Sequence, residues 1–173
     1  MPDDPRDVVF IRNGSVMIAS ISGNNQLAFY NVTAPTSYRL TSTLNTTGPP
    51  YAIYPVNDSF FHVAMLASNT PIYTLTYNST ANRWSWGTIP ATTSAGSAMN
   101  FQSTFDACGR MWLSQRGYGI RIFDSTGTKS LHNWTVSNGL NSIVLTKKFD
   151  LYAADFLNDK LFAYRPSIAQ CTS

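Results

Sequence analysis

The chain has 173 residues, 43% of them hydrophobic and 13% aromatic, but only 12% charged. It can bury a core, yet carries about half the usual share of charge for a soluble domain, so neutral polar residues must cover its surface. The net charge of +3 comes from Arg and Lys placed singly apart from Lys147-Lys148, which excludes the basic patch that nucleic-acid binding needs. No apolar run approaches the ~18 residues of a membrane span.

All nine acidic residues are Asp, and Ser, Thr, Asn, Tyr and Val abound. This composition favours strands and turns over helices. Along the chain one unit is written four times. The first copy runs from an inner strand at 8–11, through the turn Asn13-Gly14, to a second strand at 15–20. A hinge at Gly23-Asn24-Asn25 leads to a third strand ending on Tyr30-Asn31, and an outer strand follows at 38–44. The second copy repeats this at 51–56, 59–64 after Asn57-Asp58, 72–77 ending on Tyr77-Asn78, and 83–89. In the third copy the strands fall at 98–105, 110–114 after Cys108-Gly109, 120–123 ending on Phe123-Asp124, and 132–136. The fourth has 142–148, 151–155 after Phe149-Asp150, and 161–164 ending on Tyr164-Arg165, with no outer strand.

The aromatic anchors Tyr30, Tyr77, Phe123 and Tyr164 stand 47, 46 and 41 residues apart, the period of four-stranded propeller blades. A sheet apolar on both faces must be stacked between neighbours. The expectation is an all-β propeller of about four blades, each of four antiparallel strands, over 8–47, 51–93, 97–138 and an incomplete 142–168. The start Met1-Pro2-Asp3-Asp4-Pro5 has no hydrophobic signal region and reads as a mid-protein start. The disc is therefore expected to be six- or seven-bladed and only partly present, the alternative being four blades closed poorly by 2–7.

The stretch Phe105-Asp106-Ala107-Cys108-Gly109-Arg110-Met111-Trp112-Leu113-Ser114, followed by Gly119-Ile120-Arg121-Ile122-Phe123-Asp124, resembles a blade of the NHL-repeat propellers and of the Yellow and major royal jelly proteins. The resemblance implies a six-bladed propeller of a commonly secreted kind, with an N-terminal part and signal peptide beyond this chain.

Within that stretch Gly109 is expected at positive φ, and Asp106 is expected to bond the backbone of the same turn. Trp112, Phe61 and Tyr152 are expected in the core. Cys108 and Cys171 lack metal-ligand spacing and form a candidate disulfide between adjacent blades, which favours an oxidising, extracellular compartment. Asn-x-Ser/Thr acceptors occur at Asn13, Asn31, Asn45, Asn57, Asn78 and Asn133, consistent with a glycoprotein. His62, in an apolar strand, is expected buried and neutral, and His132 exposed; two unrelated histidines form no catalytic or zinc constellation. No catalytic motif or phosphate loop is present.

The expected function is therefore a non-enzymatic extracellular scaffold that binds a protein or small molecule. Its candidate contact patch is Arg116, Tyr118 and Arg121, residue types that dominate interface hot spots. No cofactor is expected. The alternative is a lactonase- or arylesterase-like hydrolase, or a small-ligand carrier, using the channel. In the hydrolase case calcium would be held by rim oxygens such as those of Asn69, Asp155, Asn158 and Asp159, although the chain contains no Glu.

Overall fold

The computed structural model of the chain describes residues 4–93 and 99–167. Among the described residues strands joined by turns dominate, with two short 3₁₀ segments. The first sheet holds β1 (Pro5–Ile11), β2 (Val16–Ile21), β3 (Gln26–Ala34) and β4 (Ser37–Asn45) in chain order. The second holds β5 (Pro50–Asn57), β6 (Phe60–Met65), β7 (Ile72–Asn78) and β8 (Arg83–Ile89). The third is β9 (Met99–Phe105), β10 (Met111–Arg116), β11 (Gly119–Phe123) and β12 (Ser130–Trp134). Among the described residues the fourth has three strands, β13 (Leu140–Leu145), β14 (Leu151–Asp155) and β15 (Lys160–Tyr164).

Tight reversals between strands need left-handed backbone, which Asn and Asp tolerate best after Gly. Asn13, Asn25, Asn69, Asn82 and Asp159 adopt it, with φ of 54°, 51°, 57°, 49° and 50°. The inner strands share a second feature. In each sheet the register of the first strand pair skips one residue at the same place, at Arg6, Tyr51, Phe101 and Asn141. A bulge at a fixed point keeps the inward and outward faces of the four sheets in step. It makes Asp7, Ala52, Gln102 and Ser142 equivalent, and opposite them Ser20, Ala64, Ser114 and Ala154.

The chain divides into two compact units, the first carrying β1 to β8 and the second β9 to β15 together with Ser68–Pro71. In the first unit one face of sheet one (Ile18, Leu27, Phe29) meets one face of sheet two (Ile53, Phe61, Val63) in a single core. Trp84 stands at that junction, 5.4 Å ring to ring from both Phe29 and Phe61. In the second unit Trp112, Ile120 and Ile122 of sheet three meet Ile143, Leu151 and Ala153 of sheet four.

Each junction also carries the same polar clamp. In the first unit the Asp7 carboxylate accepts from Ile53 N (2.8 Å), while the Ser20 hydroxyl reaches Tyr51 O (3.1 Å) and Asp7 O (3.4 Å). In the second, Gln102 Oε1 accepts from Ile143 N (3.0 Å) and from the Ser142 hydroxyl. The Ser114 hydroxyl there lies 3.3 Å from Gln102 O and 3.5 Å from Asn141 O. Without a side-chain acceptor the bulge would leave these inner-strand amides unpaired.

Several expectations need adjusting. Tyr152 is not core: it is 41% exposed, because it lies on the face of β14 opposite Leu151 and Ala153. Phe61 and Trp112 are fully buried as expected. The inner strand of sheet four stops at Leu145, since Thr146 N bonds Asp150 O and Phe149 N bonds Thr146 O to close a turn. The turn at Asp106 has the same pattern, with Gly109 at φ 73° where the later copy has Phe149 at φ 65°. Asp106 does more than bond that turn. Its carboxylate accepts from Cys108 N, Arg110 N, Arg110 Nε (2.6 Å) and Trp112 Nε1 (2.9 Å).

Candidate functional site

The end of the second unit where inner strands begin and second strands finish gathers its buried polar groups. Asn100, at the start of β9, is fully buried and faces Gln115 across the strands. Its side-chain Nδ2 donates to Thr70 O (2.7 Å) and Thr92 O (3.0 Å), and its Oδ1 accepts from Gln115 Nε2 (2.7 Å). One amide pair thus ties the hinge after β6, the 3₁₀ segment Pro90–Thr92 and the end of β10 together.

Asp155 holds the equivalent place in sheet four, opposite Leu140, and is 1% exposed. It accepts from the Ser137 hydroxyl, from Leu157 N (3.1 Å) and Asn158 N (3.2 Å), and from Asn158 Nδ2 (2.8 Å). These bonds favour the ionised form, the Ser137 hydroxyl most of all, and hold the carboxyl below its ordinary range. Burial, and then the Asp155 charge, push the Tyr164 hydroxyl the other way. Gly139 is what lets the loop come close: a Cβ there would collide with the Asp155 carboxylate and with Leu157.

Above this buried layer lies the hairpin between β10 and β11. Gly117 N bonds Asn138 O (3.1 Å) and Tyr118 N bonds Gln115 O (3.1 Å), so the hairpin is anchored to the loop of the neighbouring sheet. Gly119, at φ 101°, is needed because the backbone of Trp134 to Val136 presses against it. The structure divides the three residues of the expected patch. Arg116 is half-buried, its guanidinium 5.0 Å from the centre of the Phe156 ring. Tyr118 is 38% exposed. Arg121 turns inward, lying 4.7 Å over Phe123 and donating to Ala91 O (3.3 Å), and burial lowers its pKa.

Sequence reasoning pointed to the hairpin but missed Asn100, Gln115 and Ser137. The one available signal was that Gln115 and Asp155 are polar at the same repeat position, where the earlier copies carry Ile21 and Met65. Of the other oxygens considered for calcium, Asn69 and Asp159 sit in left-handed turn positions. Asp155 has its lone pairs engaged by N–H and O–H donors, so this donor set does not suit a cation. Among the described residues no three His, Cys, Asp or Glu side chains group as a metal site.

Two clefts lie in the second unit among the described residues. One of about 170 Å³ is lined by Trp134, His132 and Arg165, and one of about 350 Å³ by Asp106, Lys147 and Phe149. His62 is buried in sheet two and its pKa falls to about 4 by loss of solvent, while His132 is exposed. All six glycosylation acceptors are exposed. Cys171 lies outside the described residues, and Cys108 sits in the turn before β10. No helix among the described residues is long and apolar enough to cross a membrane.

Solved structures match this arrangement over nearly the whole chain. A putative 6-phosphogluconolactonase from Bacteroides uniformis aligns with 95% of it at 14% identity and a TM-score of 0.72. The Pseudomonas aeruginosa periplasmic gluconolactonase PpgL aligns with 93% at 12% identity and 0.71, and the Cps50 (Swd1) β-propeller domain of Myceliophteria thermophila with 88% at 10% and 0.67. The fold is that of a β-propeller. The chain spans about half the length of these structures, covering 51%, 49% and 49% of them respectively. No family model and no curated protein matches it, so neither the NHL-repeat nor the Yellow family name is carried further.

These neighbours correct the expectation that the chain is not an enzyme, since a gluconolactonase and putative 6-phosphogluconolactonases stand among the solved structures it resembles. That expectation came from the lack of a contiguous motif. Loops from several blades meet at the rim of a propeller, so a site there needs no contiguous motif.

Proposed function

We propose that the chain is part of a propeller hydrolase that opens sugar-acid lactones. The observation that carries this is the likeness to a gluconolactonase and a putative 6-phosphogluconolactonase over more than nine-tenths of the chain. In such a reaction water adds to the lactone carbonyl carbon, the ring C–O bond breaks, and the water proton passes to the departing ring oxygen. The charge that gathers on the carbonyl oxygen is met by a fixed cation or hydrogen-bond donor.

In this chain that donor is Arg116, held at the rim by the Phe156 ring. Tyr118 beside it supplies a hydroxyl for the hydroxyl-rich substrate. Asp155, Asn100 and Gln115 are positioning residues, because their polar atoms are spent on holding the hairpin and loops. No metal enters the proposal.

A secretory setting is proposed with it, supported by the exposure of Asn13, Asn31, Asn45, Asn57, Asn78 and Asn133 and by the candidate Cys108–Cys171 disulfide. A glycosidase-induced mass loss and a thiol count on the secreted protein test that setting. The activity is tested by following acid release from glucono-δ-lactone in a pH-stat. Hydrolysis above the spontaneous rate is expected, unchanged by a chelator and reduced about a hundredfold by Arg116→Ala. A wild-type rate equal to the spontaneous one refutes the activity.

A further inference from the structure

Between the first two sheets a groove of about 290 Å³ opens, and both of its walls belong to the first unit. Phe29, Tyr77 and Trp84 give it an apolar side, the Trp84 ring lying 5.4 Å from that of Phe29 and 5.0 Å from that of Tyr77. The Tyr77 hydroxyl donates to Asn82 Oδ1 (2.6 Å), which fixes its ring. The polar side comes from Asn31 of β3 and from Thr41 and Ser42 of β4, all three exposed. Thr41 donates its hydroxyl proton to Phe29 O (2.9 Å), so its oxygen is left to accept.

Arg12 lines the same groove, its guanidinium carbon 6.0 Å from the centre of the Tyr77 ring. The backbone there is a costly one for a long side chain. Arg12, Asn13 and Gly14 run left-handed in succession, at φ of 51°, 54° and 84°, a conformation that Asn and Gly tolerate and that is held elsewhere mainly at functional sites. It is pinned from both sides: Arg12 N donates to Asp58 Oδ1 (2.9 Å), and Arg12 O accepts from Ser15 N (3.2 Å) and from the Ser15 hydroxyl (2.8 Å). Among the described residues no carboxylate forms an ion pair with the Arg12 guanidinium. The second unit provides the contrast. Its cleft of about 170 Å³ has Ile122 and His132, a cross-strand pair, in the places of Phe29 and Ser42, but the arginine there, Arg165, already makes two bonds to Asp150 (2.9 and 2.7 Å).

We propose that the groove of the first unit binds a monosaccharide that carries a carboxylate, a uronic acid in its ring form. Arg12 receives the carboxylate with its planar fork of donors. The electron-rich ring faces on the apolar side take the C–H face of the sugar, and Asn31, Thr41 and Ser42 meet its hydroxyls. The volume stands at the small end of ligand pockets, which suits one sugar ring. This groove belongs to the first unit and Arg116 to the second, so the proposal does not rest on the lactonase activity.

Isothermal titration calorimetry with methyl β-glucuronide and with the neutral methyl β-glucoside tests it. Asn31 is also a glycosylation acceptor and a glycan there would compete, so protein from a bacterial host is used. The glucuronide is expected to bind saturably at one site, and the glucoside about tenfold more weakly or less, as a charged hydrogen-bond pair requires. Arg12→Gly should weaken the glucuronide to the level of the glucoside while its thermal midpoint stays or rises, because Gly suits the left-handed backbone. Circular dichroism checks its folding, and Arg12→Asn replaces it if it fails. Arg116→Ala should bind the glucuronide as the wild type does. No glucuronide binding, equal affinity for the two sugars, or unchanged binding in Arg12→Gly overturns the proposal. Loss of binding in a folded Arg116→Ala does so too, since the sugar would then sit at the rim.

Discussion

Removing the Asp106 carboxylate strips partners from Trp112 Nε1, the Arg110 guanidinium and two turn amides at once. Its side chain is only 1% exposed, so Asp106→Ala is expected to cost about 3 kcal/mol, read as a fall in the denaturant midpoint. Asp106→Asn should lose less, because an amide oxygen still serves some of the donors. This is the physical content of the D-x-C-G-R-x-W stretch visible in the sequence: a turn hub that seats an indole. His62 gives a pH prediction. Its folded pKa of about 4 lies below the ordinary 6.5, so the unfolded chain takes up a proton that the folded chain refuses. Stability is full above pH 6.5 and falls as the pH drops toward 4, by up to about 3 kcal/mol. Thermal unfolding across that range should show the fall, and His62→Phe should flatten it. The placement of Arg121 was not legible at this scale for a simple reason. A residue type suited to contacts does not say which way a strand side chain points, and Arg121 points to Ala91.

At the level of strands and turns, the repeat was legible because aromatic anchors and Asn-, Gly- or Asp-bearing turns recur in order. The bulges were not legible. Arg6, Tyr51, Phe101 and Asn141 share no residue type, since a bulge is a choice of backbone register rather than of side chain. The clamps were hidden for the same reason: Asp7 and Gln102 become equivalent only once the bulges align them. Ser20→Ala and Ser114→Ala are each expected to cost about 1 kcal/mol, and Asp7→Ala or Gln102→Ala about 2 kcal/mol, because the latter orphan a buried amide. Chemical denaturation measures both. The turn at Phe149 is a second case. Left-handed backbone at a bulky residue costs on the order of 1 kcal/mol, offset by a ring that is 8% exposed and packs edge-on to Trp112 at 5.7 Å. Phe149→Gly should relieve the backbone yet lose about 2 kcal/mol net, as the core contact outweighs the strain.

Across the whole molecule, the same sheet is used four times and each unit joins two sheets by one core and one clamp. Sheets two and four carry Ala52 with Ala64 and Ser142 with Ala154 at the clamp positions, so the clamps alternate along the chain. This order could not be read from the sequence, whereas the propeller itself could, because blade spacing is a long-range period that survives changes in residue type. The lactonase-like alternative was reached in the sequence from the propeller reading, whereas the buried polar layer of Asn100, Gln115 and Asp155 was not, since these residues come from separate strands. The shared register of the sheets underlies the fold and the rim alike, and amide hydrogen exchange tests it most directly. In the intact chain Ile53 and Ile143 amides should be protected. Gln102→Ala should speed exchange at Ile143 and leave Ile53 unchanged, and Asp7→Ala should do the reverse. Fast exchange at both amides in the wild type, or equal effects of the two substitutions at both sites, would contradict the account.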